Sequence, residues 1–129
     1  MATAALQTEI GWIEVSADND AITHLHWRGV QPARLQSSPL VKEAVKQLAA
    51  YFDKKLTQFD LPLAADGTGF ARDVWDIMLS IPYGQTLTYG EVATRLNAPA
   101  QAIGQACGQN PIAVIIPCHR IVGTNWLGG

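Results

Sequence analysis

The sequence contains few charged residues and no excess of either sign. Lys, Arg, Asp and Glu make up 16% of the 129 residues, and the formal net charge is −2. Apolar residues reach 48%, so the chain can form a hydrophobic core and is not of the disordered class. The charge balance gives no whole-protein signature of nucleic-acid binding. Any contact with a phosphate backbone must therefore depend on local geometry, and we expect it to be weak and sensitive to salt.

Cysteine and long apolar runs are also scarce. The two cysteines, Cys107 and Cys118, are too few for a cysteine-rich zinc cluster. No segment reaches the roughly 18 apolar residues of a membrane span. The start "MATAALQTEIGW" lacks the charged region and the apolar run of a signal peptide. We therefore expect a cytoplasmic protein without membrane contact, whose thiols stay reduced. Its length suits one domain or two very small ones.

The first half of the chain predicts a small sheet covered by one helix. Residues 8–28 are typical of a β-hairpin with its turn at "ADND". The residues expected to share one face are Ile10, Trp12, Ile22, His24 and His26. Ser38 and Pro39 form a helix start, and apolar residues follow at helical spacing up to residue 56. The segment 60–69 has two glycines and a proline and is predicted to be the boundary between two domains.

The second half predicts a helical unit. The expected helices are 70–81, 88–97 and 100–110. Thr88 and Glu91 have the spacing of a capping box at the start of the second helix. The last two helices are separated by a short break and resemble a helix-turn-helix. Cys107, on the third helix, is interpreted as a small buried hydrophobe.

The strongest chemical signal follows a predicted strand at 112–116. That strand leads directly into Pro117, Cys118, His119 and Arg120. Pro117 is expected to end the strand and leave the thiol at its end. A free thiol has a pKa of about 8.5, which nearby cations lower, and a thiolate is suited to attack on carbon. Because adjacent residues on extended backbone point to opposite faces, His119 is expected to act through a turn or a water molecule.

Three segments of the second half resemble one protein family. They are "IPYGQTLTYGEVA" (81–93), "AIGQACGQN" (102–110) and "NPIAVIIPCHRIVG" (110–123). They are similar to the O6-alkylguanine-DNA alkyltransferases, DNA repair proteins that move an alkyl group from guanine to their own cysteine. The resemblance is strong over 70–129 and loose over 1–69.

The resemblance implies an α/β fold of the α+β kind. Its N-terminal part, 1–69, would be a small RNase H-like domain of sheet and helix with a linker. Its second part, 70–129, would be a winged helix-turn-helix-like domain that carries the Pro-Cys-His-Arg site and lacks the family's C-terminal end. A methylated-DNA–protein-cysteine methyltransferase of this kind acts once, since a thioether is hard to convert back to a thiol. The transfer needs no metal and no organic cofactor.

The resemblance also assigns roles to residues of the site. Cys118 is the nucleophile, and His119 is its water-bridged base. Asn110 braces the turn that holds the thiol, and Tyr89 helps to rotate the target nucleotide out of the duplex. The residues expected to support the site or line its pocket are Asn110, Tyr89, Pro117, Arg120 and Trp126. Arg120 is expected to pair with a helix end or a carboxylate.

The expected partner is double-stranded DNA that contains O6-alkylguanine, with O4-alkylthymine as a second candidate substrate. The small-residue helix is expected to enter the minor groove of the duplex, and the protein to act as a monomer. The target base is expected to flip out of the duplex, because a thiolate cannot reach the alkyl carbon of a stacked guanine in line. The expected DNA-binding residues are Thr88, Tyr89, Gln101, Ala102, Gly104 and Gln105.

The sequence departs from the family pattern at two places. Gln101 aligns with the family's intercalating arginine, and residues 70–129 carry three basic and three acidic side chains, which gives no net charge. The chain ends at "NWLGG", whereas the family continues through a loop and a helix whose glutamate orients the histidine. No residue here matches that glutamate, and Trp126 lies near a usual glycine. We therefore expect weaker DNA binding and slower transfer, as in a truncated product or a divergent member.

Two other functions fit parts of the pattern. A non-catalytic module that binds alkylated DNA is compatible with Gln101 and the short C-terminus, but relatives of that kind lack the cysteine found at Cys118. A Cys-His hydrolase is disfavoured, since no acid that would orient His119 and no oxyanion motif is visible in the sequence. Intact mass after incubation with an O6-methylguanine duplex distinguishes the three functions.

Overall fold

The chain forms two compact units, Met1–Ala65 and Asp66–Gly129. The structure is a computed structural model that describes residues 1–33 and 35–123. The first unit is an antiparallel sheet with one helix, and the second is three helices with a small two-stranded sheet. The α+β class predicted from the sequence is confirmed. Within the described ranges, even the longest helix has only 14 residues, and no helix combines the length and hydropathy needed to cross a bilayer.

The sheet of the first unit has three strands in sequence order, each antiparallel to the next. The strands are β1 (Ala2–Thr8), β2 (Gly11–Ala17) and β3 (Ile22–Arg28). The predicted hairpin corresponds to β2 and β3, and the Asp18 carboxylate closes its turn by accepting from Asp20 N and Ala21 N at 2.8 Å. The sequence prediction missed β1. Its alanine-rich run has low strand propensity and becomes a strand by pairing with β2 along its whole length.

The prediction that residues 10, 12, 22, 24 and 26 share one face of the hairpin is wrong. Ile10 is 81% exposed in the turn before β2, whereas Ile13 and Val15 are fully buried. His26 is exposed and pairs with Glu14 on the outward face. A register shift between Ser16 and Ala17 explains why Ile22 is nevertheless buried, because a bulge moves one strand by one residue relative to its partner and so changes which side chains face the core.

Helix α1 (Pro39–Phe52) covers this sheet, contacting all three strands. Ser38 caps it by accepting from Val41 N at 3.4 Å. The side chains buried on the helix are Val41, Ala44 and Leu48. The helix ends four residues before the predicted end at residue 56, because Lys54 takes a left-handed φ of 61°. Residues 62–64 extend the sheet rather than forming an open linker, since Ala64 N donates to Ile22 O at 2.8 Å.

The second unit is built on three helices. Its elements are α2 (Gly69–Ser80), β4 (Leu87–Thr88), α3 (Tyr89–Leu96), α4 (Ala100–Gly108) and β5 (Ile121–Val122), with a 3₁₀ turn at Cys118–Arg120. The predicted capping box of α3 is confirmed, with both Thr88–Glu91 hydrogen bonds at 3.0 Å. Asn97, at φ 51°, ends α3 and turns the chain into α4. Trp75 of α2 donates from Nε1 to Ala106 O at 3.0 Å, which ties α2 to α4 inside the core.

The predicted strand at 112–116 is wrong. The segment is a tight loop in which Ile116 N donates to Ile112 O at 2.9 Å and Val114 has φ 72°. The burial of the loop accounts for its apolar sequence, since Ile112, Ile115 and Ile116 are at most 3% exposed. A periodicity argument cannot distinguish a buried loop from a buried strand over so short a run. The argument that His119 points away from Cys118 on extended backbone no longer applies, since both lie in the 3₁₀ turn.

Candidate active site

Cys118 begins the 3₁₀ turn, directly after the buried Pro117. Its Sγ atom accepts a hydrogen bond from Asn110 Nδ2 at 3.0 Å. It lies 3.5 Å from the carbonyl oxygen of Cys107 and 3.7 Å from Met78 Sδ. The sulfur is therefore half-buried between the end of α4 and the core face of α2, with one amide donor aimed at it.

Asn110 fixes the loop that carries the thiol. Its Nδ2 donates to Ile116 O at 2.9 Å as well as to Cys118 Sγ, and its Oδ1 accepts from Ile112 N at 2.9 Å. One side chain thus satisfies two backbone groups of the buried loop and the nucleophile. Since buried backbone groups need partners, this amide determines where the loop ends and where the sulfur lies.

The environment of Cys118 favours its thiolate. A hydrogen bond from the Cys107 thiol, opposed by burial and helped by the Asn110 amide, lowers the pKa of Cys118 to about 7. The same hydrogen bond and burial raise the pKa of Cys107 well above its ordinary value. The Tyr89 side chain partly offsets the increase in the pKa of Cys107. A cysteine whose pKa is near neutrality is partly ionised at pH 7, and the thiolate is the form that reacts as a nucleophile.

His119 follows the nucleophile and is exposed. Partial burial, with the charge of the adjacent Arg120, lowers the pKa of His119 below its ordinary value. The imidazole is therefore neutral at pH 7 and able to accept a proton. Arg120 itself donates from Nη1 to Ile81 O, the C-cap carbonyl of α2, at 2.7 Å. Its guanidinium also lies over the ring of Tyr83, 5.8 Å from the centroid, so Arg120 has a structural role at a helix end.

Comparison with known proteins covers both units. The family description "6-O-methylguanine DNA methyltransferase, DNA binding domain" matches residues 69–129, and the description "6-O-methylguanine DNA methyltransferase, ribonuclease-like domain" matches 1–65. A methylated-DNA–protein-cysteine methyltransferase of Methanosarcina acetivorans is 38% identical over 130 residues, which span 95% of this chain and 83% of the relative. One of Mycobacterium bovis is 40% identical over 127 residues, spanning 93% of this chain and 77% of the relative.

This chain belongs to the methylated-DNA–protein-cysteine methyltransferase family.

Solved structures agree with this assignment. The Mycobacterium tuberculosis OGT in complex with DNA superposes with a TM-score of 0.86 at 38% identity, over 98% of this chain and 81% of that one. An O6-methylguanine DNA methyltransferase from Methanococcus jannaschii gives a TM-score of 0.71 at 29% identity, over 98% of this chain and 83% of that one. As a methylated-DNA–protein-cysteine methyltransferase, the protein is an enzyme of DNA repair by alkyl transfer to a cysteine of its own chain.

The structure brings only some of the predicted site residues of the methyltransferase together. Asn110 and Cys118 are in direct contact, and Tyr89 influences the pKa of Cys107 beside them. Arg120 and Pro117 hold the backbone on either side of the thiol. Trp126 lies outside the described residues. The described residues contain no group of three or more His, Cys, Asp or Glu side chains that could hold a metal ion.

The residues predicted to bind DNA lie on α3 and α4, except Thr88, which is the N-cap of α3. Gln101, Gly104 and Gln105 are exposed on one face of α4, and Ala102 beside them is half-buried. Tyr89 is half-buried in the first turn of α3, and the hydroxyl of Thr88 caps that helix. The outer face of α4 is therefore polar and uncharged, and it is separate from the side that meets Cys118.

Sequence reasoning missed two residues of the site. Cys107, interpreted as a small buried hydrophobe, is half-buried, and its carbonyl oxygen lies 3.5 Å from Cys118 Sγ. Met78, on the buried face of α2, lies with its Sδ 3.7 Å from Cys118 Sγ. A usable signal existed for Cys107 alone, since it lies one helical turn before Asn110 at the end of the small-residue helix. No sequence signal connects Met78 to a residue 40 positions away.

Proposed function

We propose that Cys118 is the residue that accepts the alkyl group, and that the substrate is O6-alkylguanine in double-stranded DNA, with O4-alkylthymine as a second candidate. The Cys118 thiolate attacks the alkyl carbon, a carbon–sulfur bond forms, and the bond between that carbon and O6 breaks. The bonding pair stays with the guanine, which takes up one proton to become an ordinary base. The thioether left on the protein ends its activity after one turnover.

A single observation carries this proposal: the sulfur of Cys118 accepts from Asn110 Nδ2 at 3.0 Å, in surroundings that lower the pKa of Cys118 to about 7. At neutral pH about half of such a thiol is ionised, against a few per cent of an ordinary one. Cys107, whose pKa is raised, stays protonated under the same conditions. The two cysteines of the chain therefore differ in reactivity, and the difference favours Cys118.

The proton of the transfer has a defined route in this proposal. Neutral His119 takes the thiol proton through a water molecule and returns it to the departing guanine, so the reaction consumes no external proton. The balance of atoms needs no metal and no organic cofactor. This role agrees with the lowered pKa of His119, which keeps the imidazole unprotonated at pH 7.

For the DNA contact, we infer that α4 enters the minor groove with Gln101, Gly104 and Gln105 toward the duplex. The exposure of all three and the absence of a side chain on Gly104 support this, since they let the helix backbone approach DNA closely. In this arrangement Tyr89 helps to rotate the nucleotide out and Gln101 occupies the vacated stack. The unit Asp66–Gly129 thus contains both the DNA-binding helix and the acceptor thiol. We further infer a monomer in the cytoplasm, where the free thiols of Cys107 and Cys118 stay reduced.

The experiment is intact mass spectrometry after incubation with a duplex that contains one O6-methylguanine. We expect one methyl group per chain, mapped to Cys118 by peptide analysis, and none on Cys118→Ser, whose hydroxyl is barely ionised at neutral pH. Methyl on Cys107 with Cys118 unmodified would show that the acceptor is wrongly assigned. Tight binding to the lesion without any mass change would show a binding module in place of a transferase.

A further inference from the structure

The sheet of the first unit carries a pair of histidines that the proposed function does not use. His24 and His26 lie two residues apart on β3 and therefore point to the same side of the sheet. His24 is half-buried and His26 is exposed. Their ring centroids are 5.5 Å apart, and the ring planes differ by 14°. Since residues two apart on a strand are about 6.6 Å apart along it, the two rings lean toward each other.

An irregularity in the strand places a hydroxyl group beside this pair. Thr23 is the extra residue at the register shift between β2 and β3. On a regular strand the side chains of Thr23 and His24 would point to opposite faces, but an extra residue of this kind changes the direction of the side chains beside it. As a result the Thr23 hydroxyl oxygen lies 3.0 Å from His24 Nδ1.

The hydrogen bonds of Thr23 determine which nitrogen of His24 can bind a ligand. The Thr23 hydroxyl donates to the carbonyl oxygen of Ser16 at 3.3 Å. Because a hydroxyl has a single proton, its oxygen can then only accept from His24 Nδ1. In the neutral imidazole Nδ1 therefore carries the proton, and Nε2 has the lone pair. Imidazoles that bind metal ions are commonly held in this way, with the other ring nitrogen donating to an oxygen atom.

We propose that His24 and His26 form a two-histidine site for a divalent late transition-metal ion of the zinc type. Imidazole nitrogen is a preferred ligand of Zn²⁺, Ni²⁺ and Cu²⁺. With zinc–nitrogen bonds of about 2.0–2.1 Å, the ring centres of two imidazoles on one tetrahedral ion lie about 5 Å apart. The observed separation of 5.5 Å is close to that value. Binding therefore requires rotation of the two rings and little movement of the backbone.

The surroundings of the pair are compatible with a bound cation. Arg28 follows on the same face of β3, but its guanidinium donates to the Glu14 carboxylate at 3.1 Å, so its charge is compensated. Within the part of the chain that the structure describes, His24 and His26 belong to no group of three His, Cys, Asp or Glu side chains. Water would therefore complete the coordination, which makes the site open, unlike a structural zinc site with four protein ligands. Zinc bound there involves neither Cys118 nor the transfer reaction.

The test is a zinc titration followed by NMR of the ring nitrogens of the three histidines. The unchanged chain is compared with a chain in which both cysteines are serine, so that binding by thiols is recognised. His24→Gln and His26→Gln each remove one ligand, and Thr23→Val removes the orienting hydroxyl. Thr57→Val, at an exposed threonine of the same unit, is the matched control. Mg²⁺ is the control ion, because it prefers oxygen ligands.

Without metal, the neutral ring of His24 should carry its proton on Nδ1. With zinc, Nε2 of His24 and one ring nitrogen of His26 should shift together, and in the chain without thiols the signals of His119 should not move. Loss of either ligand should weaken binding about 100-fold, because the second imidazole acts at a high effective concentration. Thr23→Val should weaken binding about tenfold, as expected for loss of a group that orients a ligating imidazole. Thr57→Val should bind zinc as the unchanged chain does, and Mg²⁺ should cause no shift.

Three outcomes would overturn the proposal. The first is unchanged signals of His24 and His26 at millimolar zinc. The second is a neutral His24 whose proton is on Nε2. The third is equal zinc affinity in the chains with Thr23→Val and Thr57→Val, which would show that the hydroxyl does not orient a ligand. If Thr23→Val fails to fold, Thr23→Ser, which keeps the hydroxyl, should retain the Nδ1 proton of His24 and the zinc affinity of the unchanged chain, and loss of either would count against the site.

Discussion

Replacing Asn110 with aspartate exchanges one nitrogen for one oxygen at the atom that donates to the nucleophile. The new carboxylate oxygen would occupy the place of Nδ2, 3.0 Å from Cys118 Sγ. Because a carboxyl group ionises first, at a pKa of about 3.9, the sulfur would then have to ionise beside a negative charge. Two unit charges about 3 Å apart repel by roughly 1.4 kcal/mol in water and about 5 kcal/mol at an effective dielectric constant of 20. These limits correspond to increases of about one and four units in the pKa of Cys118.

The expected effect on transfer follows from that shift. An increase of two units, from a pKa of about 7, lowers the thiolate fraction at pH 7 about 50-fold. The fold should survive the change, because the retained Oδ1 still accepts from Ile112 N, whereas the bond to Ile116 O is lost. We expect that loss to reduce the free energy of unfolding by about 1–3 kcal/mol.

The assay is the single-turnover rate of methyl transfer from duplex DNA as a function of pH, together with urea denaturation. Gln109→Glu is the matched control, since it makes the same charge change on the neighbouring exposed residue. That control should keep the midpoint of the pH profile near that of the unchanged chain. An Asn110→Asp chain with an unshifted midpoint would show that the amide does not act on the nucleophile as the geometry indicates.

Three further predictions concern other parts of the protein. Gln101→Arg adds a phosphate contact, so duplex binding should tighten and its salt slope should steepen by about one unit. If the rate of reaction with free O6-methylguanine rose as much as the rate with duplex DNA, residue 101 would instead shape the pocket. In the unchanged chain the transfer rate should rise about tenfold per pH unit below the pKa of Cys118 and level off above about 7, since only the thiolate reacts. A midpoint above about pH 8.5, the pKa of a free thiol, would contradict the assignment of Cys118 as the nucleophile. Gly67→Ala places a methyl group 2.5 Å from the ring of Trp75 and should destabilise the fold by about 1–3 kcal/mol in urea denaturation, while Gly69→Ala, which meets nothing within 4 Å, should not.

The features that sequence predicted well are those set by close neighbours. The start of α1 at Ser38 and Pro39 and the capping box of Thr88 and Glu91 involve hydrogen bonds between residues three apart. Such bonds form wherever the residue types recur at that spacing. The apolar face of α2 is likewise a local periodicity, and the structure buries Val74, Trp75 and Met78 as that periodicity indicates.

The features that sequence could not predict depend on distant partners. Strand β1 has little strand propensity of its own and forms because β2 lies beside it. The loop 112–116 is not extended, because Asn110 holds its two ends and Val114 takes a left-handed φ. In the site, the resemblance to a family pointed to Cys118 and Asn110, but Cys107 has no place in that pattern. The contact of its carbonyl oxygen with Cys118 Sγ is visible only once α4 and the 3₁₀ turn are placed together.

The contacts around Cys118 also couple the ionisation of the protein to its folding. In the unfolded chain the thiol has an ordinary pKa of about 8.5, while in the folded chain the pKa is about 7. A group whose pKa is lower in the folded state stabilises that state fully above its unfolded pKa, and the contribution disappears as the pH falls through the folded value. Stability should therefore increase with pH between about 7 and 8.5. An alkylated sulfur cannot ionise, so the spent protein should have lost the contribution of Cys118 to this slope.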